Sequence, residues 1–174
     1  DGSGGCTAGN RRVRIDARGA FDPGLGVARI ASLPWAGCFT HIVPARDGGA
    51  WLLGVADWSS EAAFLARLGA NGSPETRFGQ GGRAPGPFAL VPPIDAGDGG
   101  VYVGREDFAI VRLDGGGSGD PSFGRQGVAA NPTDTPAKLT ALARQVDGSF
   151  LMAGLRPAGS ISVGGNTYTR YRPR

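Results

Sequence analysis

The chain has 174 residues, enough for one domain with a sizeable core, and no apolar run approaches the roughly 18 residues that a membrane-spanning helix needs. Gly 32 and Pro 13 together make about a quarter of the chain, but 40% of residues are apolar and fall in short separated runs, which argues against a disordered tail and for many short strands. The formal net charge is only +3, and Lys138 is the sole lysine among 18 cationic residues, so the arginines read as forked partners of carboxylates rather than as a strongly basic surface.

The chain opens on a Gly-rich tail, 1–12, that contains Cys6; the only other cysteine is Cys38. An even pair in a Gly-rich β chain predicts a disulfide pinning the tail to the body, with two free thiols as the alternative. Such a bond implies an oxidising compartment, so the expected location is secreted, extracellular or cell-surface, with the periplasm also compatible. The start, DGSGGC, reads as an end exposed by processing or as an artificial boundary. Next comes NRRVRID (10–16), which has the character of a last strand whose preceding strands are missing: an orphan N-terminal strand.

From Val13 onward the sequence repeats itself. VRIDARGAFDPGLG (13–26) matches VRLDGGGSGDPSFG (111–124) at seven of fourteen positions without a gap, and a worn third copy, ARLGANGSPETRFG, lies at 66–79. Each copy carries an arginine, an acid eight residues later and a closing glycine twelve residues later: Arg14 with Asp22 and Gly26, Arg67 with Glu75 and Gly79, Arg112 with Asp120 and Gly124. Between these phrases lies a second signature, RDGGAWLLG (46–54), GDGGVYVG (97–104) and VDGSFLMAG (146–154). Asp-Gly before an apolar run predicts a tight turn into a strand, because glycine takes positive φ without a Cβ clash. Further strands are predicted at 62–68, 108–113 and 167–171, the last supplying a fourth arginine, Arg170. The predicted fold is all-β and propeller-like, a single domain over 1–174 with three repeats of about four antiparallel strands, at roughly 14–66, 67–111 and 112–171.

The phrases VRLDGGGSGDPSFG, ALARQVDGSFLMAG and FAIVRLD resemble the delta-60 repeat, a bacterial propeller-like repeat. Ala141, Leu142, Gln145, Asp147 and Gly148 fall in place in the third unit, and the first two units are degenerate. The resemblance implies the fold and supplies no catalytic residues.

The pairs Arg14–Asp22, Arg67–Glu75 and Arg112–Asp120 are expected to be structural, each crossing the corner that leads to the next blade and fixing its angle. A ring of arginines binding an anion is the alternative. Chemistry finds little support. His41 is the only histidine and lies in a strand-like run, two cysteines are too few for a cysteine-only zinc site, and the Gly-rich stretch 79–86 lacks the Lys-Ser/Thr of a phosphate loop. No catalytic residue, metal or cofactor is therefore assigned. Arg11 and Arg12 at the front and Arg172 and Arg174 at the back would form one basic patch if the ends meet, suited to an anionic surface; the small net charge disfavours nucleic acid. Trp58, beside Asp57, could stack on a sugar ring.

Three repeats are fewer than the 4–8 blades that close a propeller. The predicted function is therefore a non-catalytic module that self-assembles, as a closed oligomer or a strand-donated fibre. A longer propeller of which this chain is part, and a compact three-unit fold, are the competing architectures. A carbohydrate-binding module is the second functional reading, and an enzyme built in a propeller channel the third.

Overall fold

A computed structural model describes residues 11–12, 15, 17–20, 31–56, 63–130, 138–163 and 166–173. The chain forms two compact units, Asp1–Gly86 and Pro87–Arg174. The fold is all-β: the described residues form antiparallel sheets and no helix.

In the first unit, β1 (Arg11–Arg12) pairs with β2 (Ala31–Ser32). The N-terminal strand expected to be an orphan thus has a short partner in its own chain. The first sheet follows, with β3 (Cys38–Pro44), β4 (Ala50–Val55), β5 (Ala63–Leu68) and β6 (Arg83–Gly86) in sequential order. β4 and β5 are continuous apolar runs because both their faces are buried: only Ala50 among their twelve residues is less than fully buried. One face packs Leu52, Phe64, Ala66 and Leu68 under Leu33 and Trp35, and Phe39 joins that cluster.

The second unit contains two sheets. The second sheet has β7 (Ile94–Asp95), β8 (Val101–Arg105), β9 (Ala109–Leu113) and β10 (Val128–Ala130), again in sequential order. The third has β11 (Lys138–Arg144), β12 (Phe150–Val163) and β13 (Asn166–Pro173). It has three strands where four were expected, because β10, which follows the Phe-Gly loop, pairs with β9 in the second sheet; the run 150–163 also forms one strand longer than expected. The two sheets pack face to face within this unit. Leu139 closes on Ala89 and Val91, and Phe150 meets Tyr102 edge-to-face with ring centroids 4.7 Å apart.

The repeated sequence signatures specify two recurrent pieces of backbone. The Asp-Gly signature is a hairpin turn in all three sheets. Gly48, Gly99 and Gly148 lie at φ +85°, +90° and +87°, and Asp47, Asp98 and Asp147 accept hydrogen bonds from the N–H groups of Gly49, Gly100 and Ser149 at 2.9, 3.1 and 2.9 Å. The side chain thereby stands in for a backbone acceptor in the turn. The hairpins β3–β4 and β11–β12 share a further detail. Both strands carry a bulge, between Phe39 and His41 and between Leu139 and Ala141. The intervening threonine of each, Thr40 or Thr140, donates its hydroxyl to the carbonyl of Leu53 or Ala153, at 3.2 and 3.3 Å.

The longer phrase is the loop between β5 and β6 and, again, between β9 and β10. The two loops agree bond for bond. The N–H of Glu75 donates to the carbonyl of Arg67 as that of Asp120 donates to Arg112, both at 2.9 Å. Phe78 bonds back to Glu75 as Phe123 does to Asp120, at 3.0 and 3.1 Å. The phrase therefore joins two hydrogen-bonded strands of one sheet instead of crossing the corner to the next. The unit boundaries expected at 66/67 and 111/112 fall inside β5 and β9.

Each loop closes on a glycine that nothing else can replace. Gly79 and Gly124 have φ +55° and +56°, and a Cβ on either would lie 2.2 Å from the carbonyl oxygen of Arg83 or Val128. Gly81 also has positive φ, +61°, but open space around it. Urea unfolding should therefore show Gly79→Ala and Gly124→Ala losing about 3 kcal/mol or more, against about 1 kcal/mol for Gly81→Ala. Equal losses at all three positions would contradict the contact to the opposite strand.

Candidate functional site

The chemically richest place in each of the first two sheets is where an arginine crosses an aromatic ring. Register places them together: Arg67 stands opposite Trp51 on β4, and Arg112 opposite Tyr102 on β8. The Arg67 guanidinium carbon lies 4.2 Å from the Trp51 ring centroid, and that of Arg112 lies 5.6 Å from Tyr102. The phenylalanine of the following loop braces each ring from its edge: Phe78 on Trp51 and Phe123 on Tyr102, both at 5.3 Å. A cation over a ring face and an aromatic edge against it are both favourable electrostatic arrangements.

Carboxylates complete these clasps. In the second sheet one guanidinium nitrogen of Arg112 pairs with Asp98, from the Asp-Gly turn, and the other with Asp120, from the loop. The latter nitrogen also donates to the Ser122 hydroxyl at 3.1 Å, and that hydroxyl donates to Asp120 at 2.7 Å. Arg112 thus ties the turn, the strand and the loop together. In the first sheet Arg67 pairs with Asp47 of the turn. The expected pair with Glu75 is not what holds it. Glu75 is exposed and meets Arg67 through the backbone bond described above. Glutamate is one methylene longer than Asp120, and Arg77 occupies the place of Ser122, so the anchoring hydroxyl is missing. The second terminal nitrogen of Arg67 is buried without a hydrogen-bond partner.

The third sheet has the turn but not the clasp. The Ser149 hydroxyl, at 2.7 Å, and its N–H, at 2.9 Å, bond Asp147. Arg170, expected as the fourth repeat arginine, lies on β13 between the register pairs Pro157–Tyr171 and Ser160–Thr169, well away from the turn. Instead Arg144 of β11 lies 5.2 Å from the Tyr102 ring and 5.9 Å from Phe150. Tyr102 therefore sits among two arginines and two phenylalanine rings where the second and third sheets meet.

The carboxylates register these surroundings. The Arg67 hydrogen bond, then the Gly49 N–H, holds Asp47 below the usual carboxylate range. The Gly100 N–H, with the charge of Arg112 behind it, does the same for Asp98. Ser122 lowers Asp120, with Arg112 adding to it, and Ser149 lowers Asp147.

Cys38 opens β3, while Cys6 lies outside the described residues, as do Arg14, Asp22, Trp58 and Arg174. Arg11 and Arg12 form β1, and Arg172 on β13 stands opposite Arg156. His41 lies on β3 with its Nδ1 3.0 Å from the Thr40 hydroxyl. Among the described residues no three His, Cys, Asp or Glu side chains converge on a metal-sized site, and no helix is long and apolar enough to cross a membrane. The first unit has a small open cleft of about 130 Å³ lined by Ala56, Ala63, Phe64, Gln80, Arg83 and Pro85.

Asp47 and Asp98 escaped the sequence reading as partners because they stand 20 and 14 residues before their arginines. The signal that finds them is cross-strand register: a hairpin returning from an Asp-Gly turn brings the next strand's arginine back beside that turn. Residues 96–123, which span Asp98, Tyr102, Arg112, Asp120 and Phe123, match the family model described as a domain of unknown function (DUF5122) beta-propeller. No curated protein matches the chain.

Arg112→Ala should lower stability by about 2 kcal/mol, less than for a fully enclosed pair because Asp98 faces water. Chemical denaturation measures this, and a mutant that melts with the wild type would deny the clasp a structural role. Acid provides a second test. Asp47 and Asp98 ionise more readily in the folded state, so their stabilisation is complete above the unfolded value of about 3.9 and is lost as pH falls through the folded values. Stability should be flat from neutral pH to about 5 and fall below about 4. Asp98→Asn should be less stable at neutral pH and less acid-sensitive than the wild type.

Proposed function

We propose that the chain is a non-catalytic module of propeller-like repeats that acts after secretion or at the cell surface and associates with further copies of itself. The observation that carries this reading is uneven coverage. Trp51 and Tyr102 are buried in the first and second sheets, whereas the third sheet leaves Ala141, Ala143, Leu151 and Ala153 exposed. The arginines and acids that could have served chemistry support the same reading, since Arg67 and Arg112 are tied into their own sheets. The secreted location rests on a Cys6–Cys38 disulfide, which would anchor the tail to the first residue of β3.

A carbohydrate-binding module is the second reading. Ala56, which lines the small cleft, is two positions from Trp58 in the sequence, and the Arg83 guanidinium covers the Phe64 ring there at 5.5 Å. Binding to a glycan array by a protein that stays monomeric would favour this reading over association.

Light scattering under non-reducing conditions, over a concentration series, tests the first reading. The expected result is mass that rises with concentration, together with no thiol reactive to a titrating reagent in the unfolded, unreduced protein. A monomer at every concentration would overturn self-association, and two reactive thiols would remove the argument for an oxidising compartment.

A further inference from the structure

The third sheet has two faces, and the repeat says what each is for. One face carries Leu139, Leu142, Phe150 and Met152 and is packed on the second sheet. On the other, register places Leu151 opposite Ala143, Ala153 opposite Ala141, and Leu155 opposite Lys138. Leu151 stands four residues after the turn aspartate, as Trp51 and Tyr102 do. Those two are 0% and 7% exposed, whereas Leu151 is 57% exposed. The same position is therefore covered in two sheets and open in the third. In the second sheet the cover is another sheet, which supplies Phe150 against Tyr102.

Resting on the self-association proposed above, we propose that this open face docks on the same face of a second copy of the chain, antiparallel, with Lys138 of each copy beside the Asp147 turn of the other. Three features select this occupant. Leu151 and Leu155 on β12 stand beside Ala141 and Ala143 on β11, a ridge beside a hollow, and a two-fold axis lays ridge into hollow on both copies. The charges lie at opposite ends of the hairpin, Lys138 at the start of β11 and Asp147 in the turn after it. The antiparallel arrangement joins unlike charges, whereas a parallel one would set Lys138 against Lys138. Finally, the first sheet offers no equivalent acceptor for head-to-tail growth. Its face bearing Phe39 and Leu52 is already covered by Leu33 and Trp35, and what it leaves exposed among the described residues is Ile42, at 67%, with Pro44 and Pro85 at its edges. Association therefore stops at two. About six residues a side is well below the ~800 Å² per partner of a standard stable interface, so the pair is expected to be weak and to dissociate on dilution through roughly the micromolar range.

Sedimentation equilibrium across that range tests the surface, using the wild type, Leu151→Glu and Ile42→Glu, with thermal melts beside each. The expected results are a wild-type monomer–dimer equilibrium, dimerisation weakened at least about tenfold in Leu151→Glu with an unchanged melt, and wild-type behaviour in Ile42→Glu. Should Leu151→Glu fail to fold, Ala143→Arg on β11 places a charge in the same face and carries the same expectation. A Leu151→Glu protein that folds and dimerises like the wild type overturns this surface and leaves self-association standing. Growth beyond the dimer, or loss of the dimer in Ile42→Glu, overturns the closed pair. A wild type that is monomeric throughout overturns both the surface and the reading beneath it.

Discussion

The interaction on which the second sheet depends is a guanidinium laid over a ring and held there by two carboxylates. Arg112 reaches Tyr102 on the neighbouring strand, Asp98 in the turn before that strand and Asp120 in the loop after its own. One side chain thus fixes the hairpin, the cross-strand register and the path into β10. Register matters more here than in most hairpins. A slip of one residue would send Tyr102 to the opposite face and remove the ring on which Phe123, Phe150 and Arg144 converge. The packing of the third sheet on the second is therefore downstream of ion pairs formed between a strand, a turn and a loop of the second sheet.

The first sheet solves the same problem with different weights. Arg67 makes one carboxylate pair where Arg112 makes two, and it leaves a terminal nitrogen buried without a partner, as Arg112 leaves its Nε, at a cost of about 1–3 kcal/mol each. Against this stand Trp51 and Phe78, both fully buried, each contributing about 2–3 kcal/mol through area alone. Apolar burial outweighs the missing hydrogen bond, so the loop tolerates glutamate where the second sheet has aspartate. In the second sheet the balance shifts toward polar contacts, since Phe123 is only partly buried and Arg112 makes the fuller set.

Much of the architecture could be read from the sequence because it repeats. The Asp-Gly turns, the all-β class and the strands β4, β5, β8 and β9 follow from local signals: glycine at positive φ and apolar runs of strand length. The seam between repeats did not follow. A phrase recurring every fifty residues or so reveals a unit but not where the unit begins. Only strand pairing shows that the Phe-Gly loop lies inside a sheet, joining β5 to β6 and β9 to β10. The partners of Arg67 and Arg112 were half readable for a related reason. Asp120 travels with its arginine at fixed spacing in one phrase, whereas Asp47 and Asp98 belong to the other signature and arrive by folding back. The length of β12 was hidden because Pro157 and Gly159, ordinary breaks in a strand pattern, sit at the register shift opposite β13, where a bulge accommodates them.

The twin Phe-Gly loops also bear on how the chain reaches this structure. Each closes its backbone bonds within about fifteen residues, as Arg67 does with Gly82 and Arg112 with Gly127, at 3.1 and 2.8 Å. The strand pairs on either side are sequential neighbours in every sheet. Contacts so close in sequence require little loop-closure entropy before they return free energy, which is the condition for rapid folding. An all-β chain ordinarily forms slowly because its partners are distant. Here the repeated loop makes each sheet assemble from neighbours, so a nascent chain can complete one sheet before the residues of the next are available.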